Sequence, residues 1–323
     1  MDRFKRHLVT GAVAAAFLLG GAASTSAQDW TKSKWGPKDE IGAANHITPK
    51  SVLLAAKLVK TGKTYSLGIV VDSKTPAFPP RTLSLTILQP NQVNTHGLGP
   101  SKTTYNDDIF MGWLGIGPQI DGLGHIGIDN VYYNGFSVEK FAKADGLTKL
   151  GIEKVPPIVA RGVLLDMAAY YGVKLVKEGT PYTREDIMGA AKKQGVEIRE
   201  GDVVLFHSGW LNLLDGADGT KPDTKRYVST EPGLGKTGAE YLIEKGGVAV
   251  GAGTWGLEAV PFEKGVGVFE VHQMLIPKNG IYILENMDTR ALARDQAWEF
   301  MFVLGAARVR GAVQMIINPI AIR

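Results

Sequence analysis

RGVLLDMAAYYG, residues 161–172, opens as an apolar run suited to a buried strand and closes in Met, Ala and Tyr, which suit a helix. The pattern repeats on the C-terminal side. TREDIMGAAKKQG (183–195) predicts a helix, with Thr183 and Asp186 in capping-box spacing and Gly195 past the end. DVVLFH (202–207) predicts a buried strand, GAEYLIEKG (238–246) a helix and GVAVGA (247–252) another strand. Strands and helices alternate, with no internal repeat and no break in composition after residue 30. The reading is a single α/β domain over residues 28–323.

Flanking segments fill in the rest. Pro49 to Thr61 predicts a helix capped by Thr48, with Gly62 following. TYSLGIVV (64–71) and RTLSLTIL (81–88) predict strands, and Gln89 to Met111 a long loop approaching the site. FEVHQMLIPKNGIYILEN (269–286) predicts two elements folded together by a turn at Lys278–Gly280. AVQMIINPIAI (312–322) predicts a closing strand.

The N-terminus has the form of a secretory signal over residues 1–27. Arg3, Lys5 and Arg6 precede a short apolar run, and Thr25-Ser26-Ala27 supplies small residues for cleavage. The expectation is a periplasmic or secreted protein with no membrane attachment once the signal is removed. Removing Arg3, Lys5, Arg6 and Asp2 takes the formal charge from +4 to +2. Part of the apparent basicity is thus a targeting device, and without a Lys/Arg cluster no nucleic-acid partner is expected. The chain has no cysteine, which excludes disulfides, thiolate metal ligands and thiol nucleophiles. Any metal must be held by imidazole, carboxylate, amide or water.

Two stretches gather residues able to do chemistry. PQIDGLGHIGIDN (118–130) sets Gln119 and Asp121 two apart, on one face of an extended strand. Gly122 and Gly124 let the chain bend, so His125 can fold back over Asp121. An Asp-Gly turn with a structural histidine reads equally well from these residues alone. In GIYILENMD (280–288), Ile281 and Ile283 share a strand face with Glu285. A carboxylate on an apolar face is costly unless paired or bound to a cation. His272 lies thirteen positions earlier in a similarly apolar setting. Two carboxylates, two histidines and an amide oxygen can therefore meet, a set suited to Zn²⁺ or Mn²⁺, with the oxygen share favouring Mn²⁺. An arginine partner for Glu285 and a core position for His272 are the structural alternatives. GLGKTG (233–238) matches a dinucleotide fingerprint but follows STEP rather than a strand, so a nicotinamide cofactor is not expected. FHSGW around Ser208 lacks the glycines of a nucleophile elbow.

These residues resemble the cyclase family of metal-dependent hydrolases, which includes kynurenine formamidases and isatin hydrolases. On the family's H-x-G-T-H-x-D-x-P-x-H hallmark, the acid falls on Asp121 and the last histidine on His125. Gly115, Gln119 and Leu123 stand at its first histidine, second histidine and proline. Longer members are similar in Q-x-D-G-L-x-H, in YYNG (132–135), RGVLLD (161–166), WG…DEIGAAN (35–45) and TWGLEAVP (254–261).

The resemblance implies one α/β domain with mixed central sheets flanked by helices, of the swivelling β/β/α type. It implies one divalent cation, Mn or Zn, held by Asp121, His272 and Glu285 with Gln119 as a further oxygen ligand. It implies hydrolysis of an amide, lactam, lactone or ester bond in a small, ring-bearing molecule, arylformamidase-like, with His125 as general acid/base. Trp113, Phe110, Tyr133 and His207 are the candidates for the substrate pocket, with His96 in the long loop. A homo-oligomer, dimer or tetramer, is implied by analogy. Losing two histidines at 115 and 119 leaves a second reading open, a secreted small-molecule-binding protein on the same scaffold.

Overall fold

The computed structural model describes residues 29–89 and 96–323; the expected signal peptide lies outside them. Eleven strands organise the description. They are Thr64–Ser66 (β1), Leu83–Leu88 (β2), Asp107–Gly112 (β3), Gln119–Asp121 (β4), Ile158–Asp166 (β5), Val203–His207 (β6), Ala249–Ala252 (β7), Tyr282–Glu285 (β8), Glu299–Leu304 (β9), Gln314–Ile316 (β10) and Ile320–Ile322 (β11). Nine of them form one mixed sheet in the order β1–β11–β9–β5–β6–β7–β8–β4–β10. The central four, β5 to β8, are parallel, and the strands on either side are antiparallel. Helices flank this sheet, so the α/β reading holds. β7 is buried along its length and β6 up to Phe206. Parallel strands covered on both faces carry continuous apolar runs rather than alternation.

RGVLLDMAAYYG folds as a strand entering a helix. β5 ends at Asp166, whose side chain accepts from Ala169 N at 2.8 Å and caps the short helix Met167–Tyr171 (α1). Arg184–Gln194 (α2) begins with a capping box in which Thr183 and Asp186 satisfy each other's backbone donors. Lys236–Glu244 (α3) and Glu270–Asn279 (α4) follow, and α3 packs against both α2 and α4.

Three segments differ from expectation. The helix at Pro49 stops at Ala56 rather than Thr61; Ala55 is its only buried residue, so no apolar face supports further turns. Only Thr64–Ser66 of TYSLGIVV is strand, and Val70 is 92% exposed. The segment 89–111 is not all loop: Asp107–Gly112 doubles back on β2, with Leu83 opposite Gly112 and Leu88 opposite Asp107. The two elements expected around Lys278–Gly280 are a helix and a strand. Gly280 takes the left-handed conformation (φ 65°) that stops α4, and β8 starts two residues later. The glycines of GLGKTG have packing roles: a Cβ on Gly235 would lie 2.9 Å from Pro181 Cβ, and one on Gly238 2.8 Å from Ile187 Cδ1.

Candidate metal centre

The site grows from the register of three strands. On β4, Gln119 lies opposite Glu285 of β8 and Asp121 opposite Ile283. On its other edge, Gln314 of β10 lies opposite Asp121. Directly opposed residues of an antiparallel pair share a face. Gln119, Asp121, Glu285 and Gln314 therefore emerge together, all buried.

His272 arrives from above on the first turn of α4. Gly280 joins this helix to β8, and the corner is fastened by the N-terminal segment: Ala43 N donates to Gly280 O at 2.8 Å. The packing leaves no room, since a Cβ on Gly280 would lie 2.7 Å from Gly42 Cα. Glu258 holds His272 from behind, accepting from its backbone N at 3.2 Å and lying 2.5 Å from its ring Nδ1. The ring's Nε2 then faces Glu285 Oε1 at 3.4 Å.

One donor atom each from Asp121, His272 and Glu285 lies within 4.8 Å of the others. Oδ2 of Asp121 is buried without a hydrogen-bond donor. A buried carboxylate oxygen left so is costly, and a cation among these three groups satisfies it. The donor set, one imidazole and two carboxylates, suits Mn²⁺ or Zn²⁺. Carboxylate–histidine pairs such as Glu258–His272 fix ring orientation behind metals.

Electrostatics follow from crowding. Burial opposes charge on His272, but hydrogen bonds to Glu258 and Glu285 prevail and raise it to about 10. Burial and the neighbouring Asp121 carboxylate push Glu285 up to about 7. His125 sits at the edge, its Nε2 3.9 Å from Asp121 Oδ2, and burial lowers its pKa below the usual value. Gln119 donates through Nε2 to Glu285 at 2.6 Å and to Asp121 at 3.3 Å, so its amide nitrogen, not its oxygen, faces the carboxylates. A cation among these carboxylates would favour the amide oxygen in that place.

His125, His272 and Glu285 line a cavity of about 190 Å³, together with Arg81, Trp255 and Phe269. Trp255 is held by Glu231, whose Oε2 accepts from Trp255 N at 2.7 Å and Gly256 N at 3.1 Å. Burial, then the nearby Glu285, pushes the Glu231 carboxyl well above the usual range.

The four pocket candidates do not line this cavity. Phe110 lies on the β2–β3 hairpin outside the large sheet, 47% exposed, and Trp113 just beyond it is equally exposed. Tyr133 is buried elsewhere and donates to Asp39 Oδ2 at 2.5 Å. His207 ends β6, two strands from β8, with its Nδ1 2.9 Å from Thr289 Oγ1. His96 is exposed. Nearness in sequence to a site strand did not carry these side chains to it. Glu258, Gln314, Arg81 and Phe269 were missed. Glu258 had a signal, a lone acid inside the apolar TWGLEAVP, and Gln314 one in the polar break of VQMII.

A buried Asp–His–Glu cluster on a mixed sheet, with histidine and arginine at its cavity, is the arrangement of a metal-dependent enzyme of the hydrolase and cyclase type. The chain belongs to the cyclase family, whose family model, Cyclase, matches residues 65–259. A crystal structure described as a novel cyclase is similar at 32% identity and a TM-score of 0.81, over 90% of this chain and 98% of that one. An isatin hydrolase bound to the product analogue thioisatinate matches at 16% identity and TM-score 0.58, over 85% and 98% of the two chains. Isatin hydrolase A from Ralstonia solanacearum matches at 18% and 0.58, over 86% and 98%. At that identity the isatin hydrolases share the fold. No curated protein matches.

Proposed function

We propose that the protein hydrolyses an amide, lactam, lactone or related ester bond of a small, ring-containing molecule, arylformamidase-like in its chemistry, and that it works outside the cytoplasm. The observation that carries the reading is the convergence of Asp121, His272 and Glu285, all buried, with His125 beside them at the cavity. These three would hold one divalent cation, Mn²⁺ or Zn²⁺. Such a cation lowers the pKa of water at the site and polarises a substrate carbonyl.

The chain's own residues do the rest. His125, neutral near pH 7 because burial lowers its pKa, accepts the proton of the attacking water at Nε2 and returns it to the leaving group. Glu258 keeps His272 in the orientation that aims Nε2 at the cluster. Arg81 is fixed by its contact with Gly115 O at 2.5 Å and offers positive charge where negative charge develops on the carbonyl oxygen. Phe269 and Trp255 bound the cavity with apolar surface and limit water.

Metal analysis of the purified protein, followed by a panel of lactones and N-acyl amines before and after chelation, tests the reading. Expected is about one cation per chain and hydrolysis lost with it. A stoichiometric metal-free protein that binds such molecules unchanged would favour the binding-protein alternative.

A further inference from the structure

Outside the inner cavity lies a second hollow of about 500 Å³, lined by Phe78, Trp255, Phe262, Phe269, Val228 and Val268 among others. The two hollows share Phe78, Trp255 and Phe269 as walls. The rings fall into two sets, one on each side of the shared opening. Phe78 stacks on Trp255, centroids 5.5 Å apart and planes 16° off parallel. Phe262 meets Phe269 edge-on at 5.4 Å, and Phe269 meets the His272 ring at 5.1 Å. The same phenyl ring thus touches a member of the metal cluster on one side and floors the groove on the other.

The contrast in chemistry separates the two compartments. The inner one holds Arg81, His125, His272 and Glu285. The outer one presents almost no polar surface, and its rim residues Phe78 and Val268 are 47% and 68% exposed. Apolar surface left open beside a reaction cavity fits a ligand whose reactive group and apolar body are distinct parts. The inner cavity of about 190 Å³ has room for about one small ring, and a larger body can extend into the groove past the shared walls Phe78 and Trp255.

We propose that the groove seats an uncharged apolar arm of the substrate, an alkyl or aryl-alkyl chain joined to the carbonyl group that is cleaved within. The identity of the inner group rests on the hydrolase reading; the apolar arm does not. The substrate class is then an amphiphilic amide, lactone or ester, rather than a bare small ring.

The test uses the purified protein and binding alone. N-phenyl-1-naphthylamine, a neutral fluorescent probe, is bound and then displaced by N-alkylacetamides from butyl to decyl. Expected is a half-displacing concentration that falls by up to about fourfold per added methylene while the arm enters the groove, then levels. Val268→Asp, at an exposed position where folding is not at stake, flattens the series, and Val268→Trp shortens the chain length at which it levels. Metal content stays unchanged in both. A series with no gain in chain length, or a gain untouched by both substitutions, overturns the proposal. So does a probe-silent protein that sedimentation shows to be a dimer, because a second copy then covers the groove. Chain-length gain without hydrolysis of any panel member removes the hydrolase reading and keeps the groove. Hydrolysis of short lactones without chain-length gain does the reverse.

Discussion

Gln314 occupies the space that a side chain at Gly115 would need. A Cβ at 115 would lie 2.7 Å from Gln314 Cδ, and the same amide donates to Asp121 Oδ1 at 2.6 Å. Gly115, which the resemblance sets at the hallmark's first histidine, leaves the space that the Gln314 amide of β10 fills. Gly115→Ala should push that amide off Asp121 and destabilise the fold by about 1–3 kcal/mol, as overpacking does. Gln314→Ala alone should cost about 1 kcal/mol. Combined, the two should cost clearly less than their sum, since the second makes room for the first. Urea unfolding of the four proteins measures this, and simple additivity would refute the steric link.

Cation binding should release protons. His272, raised to about 10, and Glu285, raised to about 7, both hold protons near neutrality without a cation, and both must give them up to ligate. On the order of one to two protons per metal are expected near pH 7, with affinity falling as pH is lowered. Titration calorimetry in two buffers of different ionisation heat counts them. Zero protons would mean that His272 is not a ligand.

Glu258 is a positioning residue. Glu258→Gln keeps the shape and removes the charge that holds the His272 ring. Metal affinity should drop by about 10–100-fold with little change in thermal midpoint. Competition against a chromophoric chelator reads the affinity directly; an unchanged constant would leave Glu258 with only its helix-capping contacts.

His125 should separate chemistry from metal binding. His125→Ala should lower kcat by about 10²–10⁴-fold while the metal content holds. Because burial lowers its pKa, His125 stays neutral to below pH 6.5, so the acid limb of the wild-type rate should fall below that value. A rate profile whose acid limb survives unchanged in the variant would assign the limb elsewhere.

His207 should report on stability. Burial lowers its pKa in the folded state, outweighing the nearby Asp166 and Asp288 carboxylates. Between that lowered value and 6.5 the unfolded chain binds more protons, so stability rises with pH there. The contribution is complete above pH 6.5 and is lost as pH falls toward the folded value. His207→Gln should make the decline in melting temperature from pH 7 to 5 shallower, leaving a remainder from His46 and His125, both shifted the same way by burial. An equally steep decline in the variant would contradict the assignment.

The parts of the site readable from sequence were those fixed by local period. Gln119 and Asp121 share a face because strand residues two apart must, and β4 delivers them so. Glu285 stood out because an acid among Ile and Leu needs a partner. Gln314 comes from a strand 193 residues away from Asp121, so its place depends on sheet order. Local period carries no sheet order. The cavity walls have the same origin: Phe78, Trp255 and Phe269 come to one cavity from segments far apart in sequence, whereas Phe110 and Trp113, close in sequence to β4, lie on or just beyond a separate hairpin.

Gly280 gives His272 and Glu285 a common hinge. One ligand hangs from the helix that ends there and the other from the strand that starts two residues on, while Gly42 and Ala43 wedge the corner shut. The spacing of the two ligands is therefore set by a contact that touches neither. A methyl group at residue 42 or 280 would pry that joint open and loosen the grip on the ion from outside the cavity. Within DEIGAAN, Gly42 and Ala43 thus bear on the spacing of His272 and Glu285 without touching either side chain.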